Sequence, residues 1–458
     1  MRRALALALA LVACNLAPGY ERPKSSVSNQ FPGGGGGGLA AADRGWRGVF
    51  GDARLQRLIG LALENNRDLR VAVLNVQVAQ ATYRIEGSAL YPQLGATANG
   101  QVAGTENGIA SGFGAGGFTQ YRIGLSASWE LDLFGRIRNL KEAALQDYFA
   151  TVEARRAAHI SLVGEVVTQY LRERAFEEQR QIAERTVELV SESVGLTRRL
   201  FEAGQRSELD VKTAEAQLHA ARSEVIRLTR VRQQAENALA LLVGQELPRD
   251  LPEAQPLASQ AIVADLPSGV PSEVLLRRPD VLAAEHALQA ANANIGVARA
   301  AFFPSISLTG FLGKASQTLS GLVSRGIVWN VAPTLAQPLF TAGRNKATLE
   351  VAKLRTQIEV ARYERAIQVA FREVADALIA RSTLDAQLVE QTARVEAELR
   401  RYELSDQRYK NGIEPFLAVI EAQQDLYVTQ VQLIELRLQR LQNLADLYAA
   451  LGGGWKET

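Results

Sequence analysis

The sequence contains one structural plan twice, and this internal repeat constrains the fold more than any other feature. The matching segments occur in the same order and at nearly the same offset: 68–92 with 280–304, 131–136 with 337–344, and 201–218 with 409–426. Such a series indicates a tandem duplication, in which each copy has the same elements. We assign the first copy to residues 51–245 and the second to 276–451, with an insert at 246–275 and a short tail at 452–458.

Each copy contains two segments that predict amphipathic strands. In the clearest one, apolar residues at every second position from Tyr121 to Leu133 alternate with small or polar residues from Arg122 to Asp132. This alternation is typical of a strand with one apolar and one polar face. We predict strands at about 93–104, 118–134, 305–314 and 327–340. Each is long enough to cross a membrane when tilted, which takes about 9 to 11 residues.

A very long helix is predicted after each strand pair, at about 136–203 and 344–411. The second range contains no Gly or Pro, and the first contains only Gly164 and Gly195. At 1.5 Å per residue such a helix extends about 100 Å, far more than a bilayer core, and it carries charges throughout, so it must lie in water. Further helices are predicted at about 207–243, 279–303 and 415–451. Apolar residues spaced by three and four indicate left-handed supercoiling of the long helices.

The N-terminus has the pattern of a bacterial secretion signal. Arg2 and Arg3 precede ten apolar residues, too few for a membrane-spanning helix, which needs about 20. The only cysteine of the sequence, Cys14, follows directly, and the ending Leu-Val-Ala-Cys resembles a lipobox, whose cysteine thiol receives a diacylglycerol. We therefore predict a signal peptide at 1–13, a lipid on Cys14, and a lipid-anchored segment with a glycine-rich tether at 14–50.

Charge and composition argue against a nucleic-acid partner and against an enzyme. Removing Arg2 and Arg3 reduces the 51 basic residues to 49, equal to the 49 acidic ones, whereas phosphate binding needs a basic excess. The glycines from Gly112 to Gly117 fit a dinucleotide fingerprint, but they lie between two predicted strands and no helix follows them. The three histidines are isolated: His159, His219 and His286. We predict no catalytic residues, no metal site and no cofactor beyond the lipid.

Four strands cannot form a closed membrane barrel in a single chain. In lipid every backbone N–H and C=O group must be paired, so an open four-stranded sheet is not viable there. Several chains must therefore pool their strands, with polar faces toward a water-filled lumen and apolar faces toward lipid. The long helices would continue this tube on the side where the strands leave the membrane.

The chain resembles the TolC/OprM-type outer-membrane efflux proteins, and in particular their lipidated branch, which serves resistance-nodulation-division pumps. The resemblance covers essentially the whole mature chain and lies in Cys14, Pro18-x-Tyr20-x-Arg22-Pro23, the two helices that end in aromatic-Pro at Pro92 and Pro304, the motifs 131–134 and 338–340, and both Gly-x4-Leu-x-Val turns. It implies a mixed α and β membrane protein: a homotrimer with a twelve-stranded outer-membrane barrel, a long periplasmic helical barrel, and an equatorial domain that holds residues 52–65 and the insert.

The same resemblance implies the function and the partners. The protein would be the outer-membrane exit duct of a tripartite pump in a Gram-negative bacterium. It would passively conduct drugs or other small toxic compounds and work with a periplasmic adaptor protein and an inner-membrane pump. Asn15 follows the lipidated cysteine where an aspartate would retain the protein in the inner membrane, so the resemblance implies sorting to the outer membrane.

The resemblance also implies a periplasmic aperture at the helix tips. Gly204 and Gly412 mark the turns between helices, and Pro415 suits the first turn of the next helix. These turns are the expected docking site of the adaptor. Asp210, Glu421 and Leu417 stand just beyond the glycines, where family members place the residues that ring the closed aperture. Glu421 replaces the usual aspartate, and Ala418 stands where some members have another acid.

Three other functions remain as alternatives. A lipid-anchored coiled-coil scaffold without a pore would explain the helices and Cys14 but not the amphipathic strands. A periplasmic enzyme would need converging titratable groups, which the sequence does not offer. Within export, a metal duct competes with a multidrug duct. Met1 is the only methionine, which argues against a thioether relay for copper or silver, although pump and adaptor can select the cargo.

Overall fold

The structure is a computed structural model that describes residues 15–24, 27–28, 31, 44–103, 118–263, 272–324 and 326–455. Cys14, the tether glycines 33–38 and the glycine-rich segment 112–117 lie outside the described residues, as do residues 264–271 of the insert. The predictions that concern these residues, including the lipid on Cys14, stay predictions.

Helices and strands follow each other in the same order in both copies. The helices are α1 (Trp46–Val49), α2 (Ala53–Asn65), α3 (Arg67–Ser88), α4 (Arg136–Glu202), α5 (Glu208–Val243), α6 (Pro279–Ala300), α7 (Gly321–Ser324), α8 (Arg344–Lys410) and α9 (Phe416–Ala450). The strands are β1 (Gln93–Ala103), β2 (Phe118–Leu131), β3 (Ser305–Ser316) and β4 (Val328–Ala336). The insert contributes two short 3-10 helices, Leu257–Ser259 and Ser272–Arg277.

The four strands form one antiparallel sheet in the order β1-β2-β3-β4. Its register aligns the apolar residues of neighbouring strands: Leu125 lies opposite Ala96 and Leu312, and Leu312 lies opposite Trp329. These side chains are largely exposed, with Trp329 at 74%. The opposite face carries polar pairs such as Ser128 and Thr309. The sheet thus has one exposed apolar face and one polar face. Strands that contact lipid on one side require this arrangement.

Several elements end earlier than predicted. β2 stops at Leu131 rather than 134, because Asp132 belongs to the turn into α4: its carboxylate accepts hydrogen bonds from the backbone N and the Nε of Arg138. β4 stops at Ala336 rather than 340, since Pro338 has no N–H to donate to a ladder. α6 ends at Ala300 rather than 303, where a turn leads to Pro304. The residue before a proline disfavours helical backbone dihedrals, so the helix ends before Pro304.

The chain divides into two compact units. One, the strand unit, contains Asn75–Val152, Ala283–Glu364 and the described N-terminal residues up to Lys24. The other, the helix unit, contains Glu153–Leu282, Arg365 onward and residues 25–74. Among the described helices, none has a stretch long and apolar enough to cross a membrane.

The start of the first copy is fixed within the helix unit by a buried carboxylate. Asp52 is the N-cap of α2, and its Oδ1 accepts hydrogen bonds from the backbone N of Arg54 and of Leu55. The hydroxyl of Tyr170 on α4 donates to Asp52 Oδ2 at 2.6 Å, and Gln260 Nε2 donates to the same oxygen at 2.9 Å. Burial raises the pKa of Tyr170, so the hydroxyl stays a donor at neutral pH. One carboxylate thus connects α2, α4 and the insert.

Candidate functional site

Both long helices end in the same glycine turn. Gly204 and Gly412 have φ of 72° and 75°, in the left-handed region that favours glycine. Gly204 N donates to Phe201 O at 2.8 Å and Gln205 N to Leu200 O at 2.8 Å. The second copy repeats these bonds, from Gly412 N to Tyr409 O and from Ile413 N to Arg408 O. Each pair satisfies the last carbonyls of its helix in a Schellman motif.

The helices that follow the two turns begin differently. Ser207 is the N-cap of α5 and forms a capping box with Asp210: Ser207 Oγ accepts from Asp210 N, and Asp210 Oδ2 accepts from Ser207 N at 3.2 Å. We predicted that Pro415 is the first helical residue of α9, but it is the N-cap, one residue before the helix begins. The reason is its extended backbone, with ψ at 153°, while its carbonyl accepts from Ala418 N.

The predicted aperture residues have different environments. Asp210 is partly buried and is held by the capping box. Leu417 is 59% exposed although its neighbour Phe416 is buried. Glu421 is exposed, and no hydrogen bond or ion pair joins it to another residue in the described part of the chain. Leu417 and Glu421 are therefore available to groups outside their own chain.

A buried apolar cluster joins the two helical hairpins beneath these turns. Its members come from α4, α5, α8 and α9: Val190, Val194, Ala214, Leu218, Tyr409, Phe416, Val419 and Ile420. The rings of Tyr409 and Phe416 lie 5.1 Å apart, and the guanidinium of Arg206 lies 4.8 Å from the Tyr409 ring centre. This cluster makes the tips of the two copies pack as one body.

Two polar bonds connect α5 with α9 above this cluster. Gln424 Nε2 donates to Gln217 Oε1 at 3.1 Å, and the hydroxyl of Tyr427 donates to Glu224 Oε1 at 3.1 Å. Arg227 donates to Glu224 and lowers the pKa of this carboxyl, which is therefore ionised at neutral pH and accepts the hydrogen bond from the Tyr427 hydroxyl. These residues also line a cavity of about 350 Å³ between α4, α5 and α9. We call the two bonds the cross-hairpin bonds.

The cross-hairpin residues were not among the predicted site residues. The sequence did contain one signal for them, since Gln424 and Tyr427 interrupt an apolar stripe at positions that face a neighbouring helix. A polar residue at such a position usually has a specific partner. That partner, Gln217, cannot be identified from periodicity, because it belongs to the other copy of the repeat.

The segment that follows Cys14 is attached along α6 in the strand unit. Arg299 Nη1 donates to Leu16 O at 2.9 Å, and Asn292 Nδ2 donates to Pro18 O at 2.8 Å. Gly296 lies between these two residues on α6, and a Cβ there would come within 2.9 Å of Ala17 N. The close approach of the segment therefore requires glycine. We call this segment, residues 15–24, the strap.

The sheet and the hairpins define a class of protein. A four-stranded sheet with an exposed apolar face and two unpaired edge strands is one part of a barrel that several chains build together. The chain belongs to the family of outer membrane efflux proteins, which matches residues 58–245 and 270–453. The two matched stretches correspond to the two copies of the repeat.

Curated relatives and solved structures agree with this assignment. The chain is 42% identical to the cation efflux system protein CusC of Escherichia coli over 457 residues, which cover 98% of both chains. It is also 42% identical to the solvent efflux pump outer membrane protein SrpC of Pseudomonas putida, over 98% of this chain and 97% of that protein. The open state of the Neisseria gonorrhoeae MtrE outer membrane channel superposes with a TM-score of 0.87 at 44% identity, covering 97% and 99% of the two chains.

Family membership confirms the predicted fold class, location and partners. The protein is the outer-membrane channel of a tripartite efflux system in a Gram-negative bacterium and extends into the periplasm. It works as a homotrimer together with an adaptor and an inner-membrane pump. The family is one of channels, and in the described residues no group of three or more His, Cys, Asp or Glu side chains could hold a metal ion.

Proposed function

We propose that the helix tips around Gly204 and Gly412 form the periplasmic aperture of this channel, closed by Asp210, Leu417 and Glu421. The observation that supports the aperture most is the exposure of Leu417 and Glu421 beside a buried apolar cluster. A threefold axis would bring three copies of each side chain together. Leucines would then narrow the opening, and the carboxylates would place a ring of negative charge around it.

The carboxylate ring would make the aperture prefer cations. Divalent cations would bind to such a ring and reduce its negative charge, so the aperture would respond to them. Glu421→Ala should raise the conductance of reconstituted channels and let large antibiotics leak into cells. Glu421→Gln is the matched control for size, because it removes the charge and keeps the volume. Unchanged conductance and unchanged ion selectivity in both variants would contradict the role of Glu421.

Opening would separate α5 from α9, which the cross-hairpin bonds hold together in the present state. We propose that this separation, and not any covalent chemistry, is the protein's own contribution to export. The turns at Gly204, Gly412 and Pro415 would receive the adaptor. Replacing the exposed Ile413 in the second turn by a cysteine and cross-linking it to adaptor cysteines would test the docking. The absence of any adduct with the adaptor would contradict docking at this turn.

Cys14 is proposed as the site of lipid attachment, since the strap begins directly after it and is fixed to α6. Mass spectrometry of the mature N-terminal peptide should find a diacylglyceryl group on this thiol and an acyl group on the α-amino nitrogen of Cys14. A Cys14→Ser variant should lack the adduct. An unmodified thiol in a correctly processed chain would exclude the anchor. Apart from this lipid we propose no cofactor and no enzymatic activity.

The cargo is proposed to be chosen by the pump and the adaptor. CusC is named for cation efflux and SrpC for solvent efflux, yet each is 42% identical to this chain over nearly its whole length. These two names support the proposal that overall similarity of the conduit does not set the cargo. This channel should be expressed in place of CusC or of SrpC, each time with the pump that the replaced channel serves. In both cases we expect export of that pump's own compounds to be restored. Export of one class with both pumps would show that the channel selects.

A further inference from the structure

One aromatic contact joins the two copies of the repeat within the chain. The rings of Phe134 and Phe303 stack with centroids 4.7 Å apart and an angle of 22° between their planes. Phe134 follows the end of β2 in the first copy, and Phe303 precedes β3 in the second. The contact therefore lies where the first copy meets the second, and both residues belong to repeated motifs.

The equivalent residues at the opposite ends of the repeat have no such contact. Phe340 after β4 corresponds to Phe134, and Tyr91 before β1 corresponds to Phe303. Phe340 is 89% exposed and Tyr91 is 70% exposed, and neither ring stacks on another aromatic ring in the described part of the chain. β4 and β1 are also the two edge strands of the sheet.

We propose that Phe340 of one copy of this chain stacks on Tyr91 of the next copy in the trimer. The contact between the second copy of the repeat and the first copy in the neighbouring chain would then reproduce the Phe134–Phe303 contact. In a ring of three chains, intrachain and interchain contacts of this kind would alternate. The partner is a second copy of the same chain, because the proposed interface continues the edges of the sheet.

The register of the sheet shows which residues of the two edge strands this contact would bring opposite each other. Leu131 and Ile306 are paired, and the stacked Phe134 and Phe303 lie three residues beyond them on either strand. The same relation between chains places Ala336 of β4 opposite Gly95 of β1. Stepping along the strands, Val328 comes opposite Ala103, so that the whole of β4 is paired.

This derived register also matches the faces of the two edge strands. Leu335 comes opposite Ala96 and Trp329 opposite Val102, all on the exposed apolar face. On the other face Thr334 comes opposite Thr97. A shift by a single residue would bring every apolar side chain of β4 beside the polar face of β1, so the match was not guaranteed.

Paired cysteines test the contact directly. Tyr91→Cys combined with Phe340→Cys should give covalent dimers and trimers on denaturing, non-reducing gels after mild oxidation or treatment with a short thiol cross-linker. Phe134→Cys with Phe303→Cys is the matched control, which should lose its free thiols without any increase in chain size. Each single-cysteine variant reports any background from Cys14. Separate chains in the first variant, with an intact trimer by size exclusion and a closed control pair, would overturn the proposal.

Trimer stability gives a second test that does not depend on cross-linking. Phe340→Ala and Tyr91→Ala should each lower the temperature at which the trimer dissociates in detergent by several degrees. The double variant should lose no more than the larger single effect, because the two side chains share one contact. Val323→Ala, which truncates a residue that is 82% exposed on α7, should leave this temperature unchanged. Additive decreases in this temperature, or no decrease, would contradict the stacking. Neither outcome would contradict the trimer or its channel function.

Discussion

Arg22 of the strap forms a two-pronged ion pair with Glu285 of α6. Nε donates to Oε1 at 2.8 Å and Nη2 donates to Oε2 at 2.8 Å. The hydroxyl of Tyr20 donates to the same carboxylate at 3.1 Å, and burial together with Glu285 raises the pKa of Tyr20 to about 12. The Glu285 side chain is only 7% exposed, so the strap is held by a carboxylate that has almost no access to water. The proposed lipid site is thereby tied to a fixed position on α6.

Removing the charge of Glu285 should loosen the strap. Glu285→Gln leaves the Arg22 guanidinium without its ion partner, and we expect a loss of about 1–2 kcal/mol, since Arg22 is half exposed and part of the interaction is screened. Trypsin should then cut after Lys24 faster than in the parent protein. Glu403→Gln is the control, because its partner Arg400 is well exposed and such pairs contribute about 0–1 kcal/mol. Equal cleavage rates in all three proteins would show that the strap is held by other contacts.

Weakening a cross-hairpin bond should favour the open aperture. Tyr427→Phe removes the hydroxyl that donates to Glu224, and a hydrogen bond to a charged group contributes about 1.5–3 kcal/mol. If the bond exists only in the closed state, the open fraction should rise about tenfold or more, which single-channel recording would detect. Tyr402→Phe is the matched control, as Tyr402 is also half-buried near the tips and forms no side-chain hydrogen bond to a described residue. Equal open fractions for the two variants would show that this hydrogen bond does not control gating.

Elements and contacts differ in how far the sequence predicts them. The alternation around Leu125 and the uninterrupted run of α8 are local patterns, so strands and long helices follow from residue spacing alone. The bond between Gln217 and Gln424 depends on how two hairpins pack, and no local pattern specifies a partner in the other copy. The exposure of Leu417 and the burial of Val419 also depend on packing, because the two residues lie in one helix turn and face different surroundings. Residue spacing alone does not predict this difference.

Acid should weaken the helix unit through Glu177. Its hydrogen bond with Arg180 lowers the pKa of Glu177 from 4.5 to about 2, with Arg232 contributing at 2.9 Å. A carboxyl with a lowered pKa stabilises the fold above the pKa of the unfolded chain and loses this contribution as the pH falls toward the folded value. Glu177→Gln should therefore lower the free energy of unfolding at pH 7 by about 1–2 kcal/mol and with it the melting temperature. The difference from the parent should shrink between pH 4.5 and pH 2.

The control for this titration is Glu390→Gln, which replaces an exposed carboxylate that has no ion pair in the described part of the chain. Its melting temperature should follow that of the parent at every pH. A Glu177 difference that stays constant down to pH 2 would mean that the substitution acts through packing and not through charge.

The capping box gives Asp210 two roles that substitution can separate. Its carboxylate accepts from Ser207 N at the start of α5, and it is also a proposed member of the aperture ring. Ser207→Ala removes the cap hydroxyl and should cost about 1 kcal/mol of stability, as other N-cap replacements do. It leaves the charge of Asp210 in place, so the ion selectivity of reconstituted channels should not change.

Asp210→Asn is the complementary variant. The amide oxygen can still accept from Ser207 N, so the helix start is largely kept while the negative charge is lost. We expect a smaller preference for cations and a higher conductance, with a melting temperature closer to the parent than that of Ser207→Ala. If selectivity instead follows the loss of stability in both variants, Asp210 acts on the aperture through the start of α5, and the charge ring is built from Glu421 alone.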